Sequence, residues 1–162
     1  MPKVSNQAPV KHQPDLSIAF ATVSDLAGIV AVSQEAFPTD SWSWESLAKE
    51  FEHEFSHTLV VLSERLLGYL VFWHVLDEIH ILQVATARTA RRSGVGTALV
   101  RRCLSEGRSQ GAETVLLEVR ASNQAARRLY ASLGFDELAI RRGYYSNPKE
   151  DGLVLVHHLG AL

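Results

Sequence analysis

The 162-residue sequence contains a single cysteine, Cys103, which excludes an internal disulfide framework and any multi-thiolate zinc site. A reducing compartment, and so a cytoplasmic location, is the expectation. Net charge is also scarce: 16 basic against 18 acidic side chains leave a formal -2, which argues against a uniformly basic nucleic-acid-binding surface. Long apolar runs are missing too. The longest, Leu66 to Trp73, falls far short of the ~18 residues of a membrane span, and no signal-peptide core follows the first lysines, so no membrane association is expected. What is present is 46% apolar and 21% charged residues, the composition of an ordinary globular domain. A chain of this length buries roughly 70% of the surface it exposes when unfolded, enough for a core without staples.

Residues 1–15 combine Pro2, Pro9, Pro14, Lys3, Lys11 and His12 with little apolar content and read as a flexible tail before one domain, 16–162. Leu16 to Ala21 alternates like a strand. Thr22 or Ser24 can cap a helix that uses Leu26, Ile29, Val30 and Phe37 and stops at Pro38. A second helix is expected from Ser43, with Trp44, Leu47, Phe51 and Phe55 at helical spacing. Strands are expected over Thr58 to Glu64, Leu66 to His74 and Glu78 to Thr86. From Gly94 an amphipathic helix carries Val95, Leu99, Val100, Cys103 and Leu104 on one face, ending at Gly107 or Gly111. Thr114 to Val119 reads as a buried strand, and Ser122 or Asn123 caps a helix closed by Gly134. Leu138 to Arg141 and Leu153 to Leu159 complete the order as strands. The economical packing is α/β, a mixed sheet with helices on both faces.

Two motifs compete for the chemistry. His53-Glu54-Phe55-Ser56-His57 matches the zinc-protease pattern H-E-x-x-H, which on a helix places both histidines on one face. No third ligand stands out, and the pattern falls where the second helix should end, so a polar helix end is expected and no metal. His157 and His158 must point to opposite faces of their strand. The other motif, Arg91-Arg92-Ser93-Gly94-Val95-Gly96, lies between a strand and the amphipathic helix. Glycines there let backbone N–H groups approach a phosphate, and the helix N-terminus adds partial positive charge. A plain glycine-rich turn fits the same residues. No Gly-Lys-Ser/Thr follows, which excludes a Walker loop, and the third glycine of a dinucleotide fingerprint is absent.

Val84 to Thr97 resembles the acetyl-coenzyme A binding motif of the GNAT acetyltransferase superfamily, with its Arg/Gln-x-x-Gly-x-Gly/Ala loop. The likeness continues through Leu117 to Asn123, Leu129 to Phe135 and Arg141 to Tyr145, and includes Trp42-Ser43 and Val75 to Glu78. These segments resemble the bacterial ribosomal-protein alanine N-acetyltransferase branch across roughly residues 16 to 159. The resemblance implies a mainly antiparallel GNAT sheet of six to seven strands. It implies that Val84, Ala85 and Thr86 offer backbone groups to the acetyl and pantetheine portions of acetyl-CoA. Arg92, Ser93, Gly94, Val95, Gly96 and Thr97 would hold the pyrophosphate, and Asn123 would contact the cofactor. Glu118 would be the general base and Tyr130 the general acid, with Trp42, Tyr144 and Tyr145 at the acceptor. The chain departs from the family's usual pattern in having Ala87-Arg88 where Asp-Pro is common, and Thr86 in place of an aliphatic residue.

The chemistry suits these types. An N-terminal amine has a pKa of ~7.7 to 8.0 and needs a base at neutral pH. Partial desolvation at a strand end is expected to raise the Glu118 pKa, and Tyr130 can protonate the leaving thiolate. Backbone N–H groups near Val84 to Thr86 can stabilise the developing oxyanion. Equally, Glu118 can be a strand-end carboxylate paired with Arg120 or a neighbouring arginine, Tyr130 can be core, and Tyr144 and Tyr145 can pack a turn. Cys103 reads as core, so direct transfer to a protein N-terminus is expected rather than an acyl-enzyme. A small amine or antibiotic as acceptor, and a non-catalytic acyl-CoA sensor, are the alternatives. Charge is segregated: Arg88 to Arg108 has six arginines against Glu106, and Glu35 to Glu54 has six acids against Lys49. The first stretch suits a phosphate-rich ligand, and the second suits either a basic ribosomal-protein terminus or a solvated helix face.

Overall fold

A computed structural model describes residues 16–160, so the expected tail lies outside the described residues. After β1 (Ser17–Phe20), the backbone N–H of Thr22 donates to the Asp25 carboxylate at 2.8 Å, and α1 (Leu26–Ala36) follows. Its buried face is Leu26, Ile29, Val32 and Ser33, and it stops before Pro38, which disfavours helical backbone in the residue preceding it. α2 (Trp44–Glu50) begins at Ser43, whose hydroxyl accepts from the Ser46 N–H at 3.1 Å. It is shorter than the apolar spacing predicts. Leu47 is its buried residue, Trp44 is 49% exposed, and Phe55 lies past its end.

That early stop dismantles the H-E-x-x-H pattern. His53 follows α2 and stacks on Phe55, whereas His57 belongs to β2 (Ser56–Leu62) and lies against Phe72. The two histidines share no helix face. Among the described residues no group of three His, Cys, Asp or Glu side chains could hold a metal ion.

β3 (Leu66–Val75) and β4 (Glu78–Thr86) form a hairpin, with Leu76 at φ 56° in the turn. α3 (Val95–Ser109) starts from Gly94 at φ 82°. Gly107 does not end it. It lies inside the helix, where a Cβ would come within 2.7 Å of Ile79 Cδ1, so its role is close approach to the sheet. β5 (Thr114–Arg120) and α4 (Gln124–Ser132) follow, and Gly134 at φ 87° takes the chain out of α4. β6 (Asp136–Tyr145) and β7 (Glu150–His158) extend beyond their expected limits.

The seven strands lie in the order β1-β2-β3-β4-β5-β7-β6, antiparallel except for the β4–β5 pair. Alternation along β3 assigns the two faces. Gly68 faces Val95 and Leu99 of α3, and Tyr69 faces the opposite way, towards Ser33 of α1. Trp73, two alternations from Tyr69, donates to Glu50 of α2 at 2.8 Å, so α1 and α2 share that face. α4 joins α3 on the other, with Leu129 beside Gly96.

The β4–β5 pairing runs from Glu78↔Thr114 only to Ile81↔Leu117. At the next residue β4 carries a bulge: Val71 pairs with Gln83 and Phe72 with Ile81, leaving Leu82 extra. A bulge bends its strand away from a neighbour. The two parallel strands therefore splay beyond Ile81 and Leu117, opening a cleft in the middle of the sheet.

Candidate active site

The cleft has a volume of about 710 Å³. Leu82 to Val84 and Leu117 to Arg120 line it from the two strands, joined by Ala126 and Tyr130 of α4 and by Trp42, Tyr144 and Tyr145. The sequence-expected residues Val84, Glu118, Asn123, Tyr130, Trp42, Tyr144 and Tyr145 thus converge. On the β5 side, the backbone of Leu82 to Thr86 has no strand partner. Its free N–H and C=O groups suit an extended chain containing amides, bound as a strand would be.

The glycine loop presents a second set of unpaired donors. The first turn of α3 leaves the N–H groups of Val95, Gly96 and Thr97 without intrahelical acceptors, and the 15-residue helix aims its dipole there. Gly94 and Arg92 both have positive φ, 82° and 61°, which turns successive N–H groups towards the same side. At Gly96 a Cβ would make ordinary van der Waals contact with Leu129 Cδ2 and Thr86 Oγ1, both at 3.8 Å. Arg91 and Arg92 are exposed. The Ser93 hydroxyl is already engaged with the Ala90 carbonyl, which leaves its backbone for a ligand. Ala87, in place of the family's usual acid, is buried, and Arg88 donates its N–H to Glu35 of α1 at 2.6 Å. This donor set fits the phosphates and the amide-bearing arm of acetyl-CoA.

Asn123 divides its function. Its Oδ1 caps α4 through the Ala126 N–H at 3.1 Å, and the residue also lines the cleft. Tyr130 packs edge-on to Phe135 at 5.5 Å in the core and also lines the cleft. Burial pushes its phenol pKa up, which keeps the hydroxyl protonated. Tyr144 and Tyr145 meet edge to face at 4.9 Å, and burial pushes the Tyr145 phenol up to about 12. Arg141 lies 4.5 Å over the Tyr144 ring, and Arg120 lies 4.4 Å over the Tyr145 ring, pairs with Asp40 at 3.0 Å and bonds to the Ser146 carbonyl.

Glu118 departs from expectation. Its side chain is 16% exposed, but its pKa is lowered, not raised. The largest cause is a 2.6 Å hydrogen bond to His80 Nε2, and Arg141 adds a contact at 3.4 Å. These opposing charges outweigh desolvation. Arg120, the partner suggested by sequence, is occupied elsewhere. His80 and Arg141 are the contacts of Glu118 that sequence reading did not name. Both lie on expected strands, yet only the β4–β5 register and the crossing of β6 bring them to Glu118.

The acidic stretch is also partly committed. Glu35 caps Arg88, Asp40 pairs with Arg120, and Glu50 accepts from Ser56 and Trp73. Glu45, Glu52 and Glu54 remain on the surface.

The splayed sheet and the free N–H groups at the start of α3 suit an acyl-CoA-dependent transferase, and likeness to known proteins shows that class. The chain belongs to the Acetyltransferase (GNAT) family, whose model matches residues 26–135. It is 32% identical over 143 residues to the ribosomal protein bS18-alanine N-acetyltransferase of Escherichia coli (strain K12), spanning 86% of this chain and 95% of that protein. It is 26% identical over 156 residues to an N-alpha-acetyltransferase of Sulfurisphaera tokodaii, spanning 88% of this chain and 93% of that one. The crystal structure of the ribosomal-protein-S18-alanine N-acetyltransferase from Escherichia coli matches with a TM-score of 0.85 at 30% identity, over 91% of this chain and 96% of that one. The protein is an N-acetyltransferase with the GNAT fold, and GNAT acetyltransferases use acetyl-CoA as co-substrate.

Proposed function

We propose that this enzyme is an N-alpha-acetyltransferase acting on the N-terminal alanine of a small-subunit ribosomal protein, by direct transfer in a ternary complex in the cytoplasm. The observation that carries the reading is the cleft itself, with unpaired backbone on one side and Glu118, Trp42, Tyr144 and Tyr145 on the other. The likeness to the bS18-alanine enzyme, which spans 86% of this chain, supports the same acceptor.

Acetyl-CoA supplies an activated acetyl thioester. Val84 to Thr86 would bind its amide-bearing arm and orient the carbonyl, while Arg92 to Thr97 and the α3 N-terminus would hold its phosphates. Asn123 would contact the same arm from α4. Trp42, Tyr144 and Tyr145 would enclose the acceptor terminus. About one in ten N-terminal amines is neutral at pH 7, so removal of a proton by Glu118 is worth roughly tenfold in reactive amine before any geometric gain. Tyr130, kept protonated by burial, donates its hydroxyl proton to the departing sulfur. Cys103 is fully buried in α3, and burial pushes its thiol pKa up, so it stays out of the reaction.

Thiol release from acetyl-CoA with a peptide beginning in alanine tests the reading. Release with the free terminus and none with the N-terminally blocked peptide is expected. Equal release from both would redirect the reading to lysine side chains, and release only with small amines would favour an antibiotic-type acceptor.

A further inference from the structure

Resting on Glu118 as the base, we propose that His80 is its positioning residue. In its neutral form it holds the Glu118 carboxylate ready for the acceptor proton. In its protonated form it binds that carboxylate as an ion pair and withdraws it from the reaction.

The geometry begins with register. His80 of β4 lies opposite Leu116 of β5, so its side chain shares a face with Glu118, two residues further along. Nε2 reaches Oε2 at 2.6 Å, a distance that requires a proton between the two atoms. With the ring neutral, that proton is on Nε2 and donates to the carboxylate, leaving Nδ1 unprotonated. The second carboxylate oxygen lies 3.4 Å from Arg141, and Glu118 lines the cleft. The His80 side chain is 35% exposed, so bulk water can protonate it independently of the acceptor.

Glu118 is a serviceable base only while one full positive charge, that of Arg141, faces it. A second, on His80, further stabilises the carboxylate against accepting a proton. The groups facing His80 set where this happens. Glu118 from β5 raises its pKa most, Glu78 on its own strand adds to that, and Arg141 from β6 and partial burial act in the opposite sense. From β3, the cross-strand neighbour Trp73 presents an indole whose N–H is committed to Glu50. The balance is upward from the ordinary 6.5. The two groups therefore titrate as a coupled pair.

The proton count closes. Of three protons on an N-terminal ammonium, one remains on the amide nitrogen as the N–C bond forms, and one restores the Tyr130 hydroxyl after that group has protonated the thiol released by C–S cleavage. The third leaves through Glu118 to water.

The test compares turnover of His80→Gln with wild type across pH, taking the ratio so that titration of the acceptor amine cancels. Gln keeps a neutral donor to Glu118 at every pH. At pH 8.5 the variant is expected ~3- to 10-fold slower from looser orientation. Towards pH 6 the variant-to-wild-type ratio should rise at least ~4-fold, because less than about a quarter of wild-type His80 is neutral there. A ratio that is flat or falls with decreasing pH would overturn the proposal. Histidine NMR of the unsubstituted protein is independent of any acceptor, and so separates a wrong substrate from a wrong role. His80 titrating above 6.5, and lower in Glu118→Gln, supports the proposal; titration at or below 6.5 overturns it.

Discussion

Gly68→Ala should couple a packing defect in β3 to the cofactor loop. A Cβ at Gly68 would sit 2.6 Å from Val95 Cγ1, 2.9 Å from the Ala85 carbonyl oxygen and 3.4 Å from Leu99 Cδ1. Carbon atoms rest at about 3.5 to 4.0 Å, so roughly 1 Å must be found, and one obstacle is backbone. Overpacking of this kind costs about 1–3 kcal/mol, offset by about 0.5 kcal/mol from the stiffer unfolded chain. A net loss of about 1–2 kcal/mol should lower Tm by roughly 2–8 °C in a chain of this size. Val95 is the first residue of α3, so pushing it away displaces the turn that carries Gly96. Acetyl-CoA affinity should fall about tenfold, equivalent to about 1.4 kcal/mol. Gly107→Ala is the control, since its obstacles, Ile79 Cδ1 at 2.7 Å and Leu159 Cδ1 at 3.0 Å, are ends of flexible side chains far along α3. Thermal unfolding and isothermal titration with acetyl-CoA read both variants. Wild-type affinity in Gly68→Ala despite lost stability, or equal affinity losses in the two variants, would refute the link between β3 and the loop.

Three further outcomes are expected. A double-mutant cycle between His80 and Glu118, read by urea unfolding, should give a coupling of about 1–2 kcal/mol at pH 5.5 and less than half that at pH 8.5. The raised His80 pKa makes its contribution present below 6.5 and lost as pH rises through the folded value, while the lowered Glu118 pKa makes its contribution present above 4.5 and lost on acidification. A coupling larger at pH 8.5 would contradict this. Cys103→Ala should leave turnover nearly unchanged, at a stability cost of about 1 kcal/mol, because the thiol is buried and lacks a base; abolished turnover in a folded variant would restore an acyl-enzyme route. Arg120→Ala should raise the peptide KM about tenfold without changing acetyl-CoA affinity, since Arg120 ties Asp40 to Tyr145, which is proposed to enclose the acceptor; a changed acetyl-CoA affinity with unchanged peptide KM would contradict that division.

Local chemistry was legible wherever a residue's own type set its conformation. Ser43 and Asn123 cap helices through their side-chain oxygens, Gly94 and Gly134 take positive φ, and β4 keeps the expected bounds Glu78–Thr86. β6 was underestimated because it lies at the sheet edge and Asp136 to Tyr144 are exposed, so backbone pairing with β7 defines it without an apolar signature. α2 was overestimated because Phe55 does have an apolar partner, but it is Trp73 on β3 and not a helix neighbour. The candidate site divides in the same way. The glycine loop is contiguous in sequence and could be read. The electrostatics of Glu118 arise from His80 and Arg141, which lie 38 and 23 residues away, and so depended on strand order and register. Desolvation alone pointed to a raised pKa; the partners reversed its sign.

The most direct measurement is site-resolved mass spectrometry of intact, N-terminally processed ribosomal protein bS18 after incubation with this enzyme and acetyl-CoA. One acetyl group on the alpha-amine of the N-terminal alanine, with lysines unmodified and the product absent for Glu118→Gln, is the expected result. Acetyl groups confined to lysine side chains, or a product undiminished in Glu118→Gln, would contradict the account.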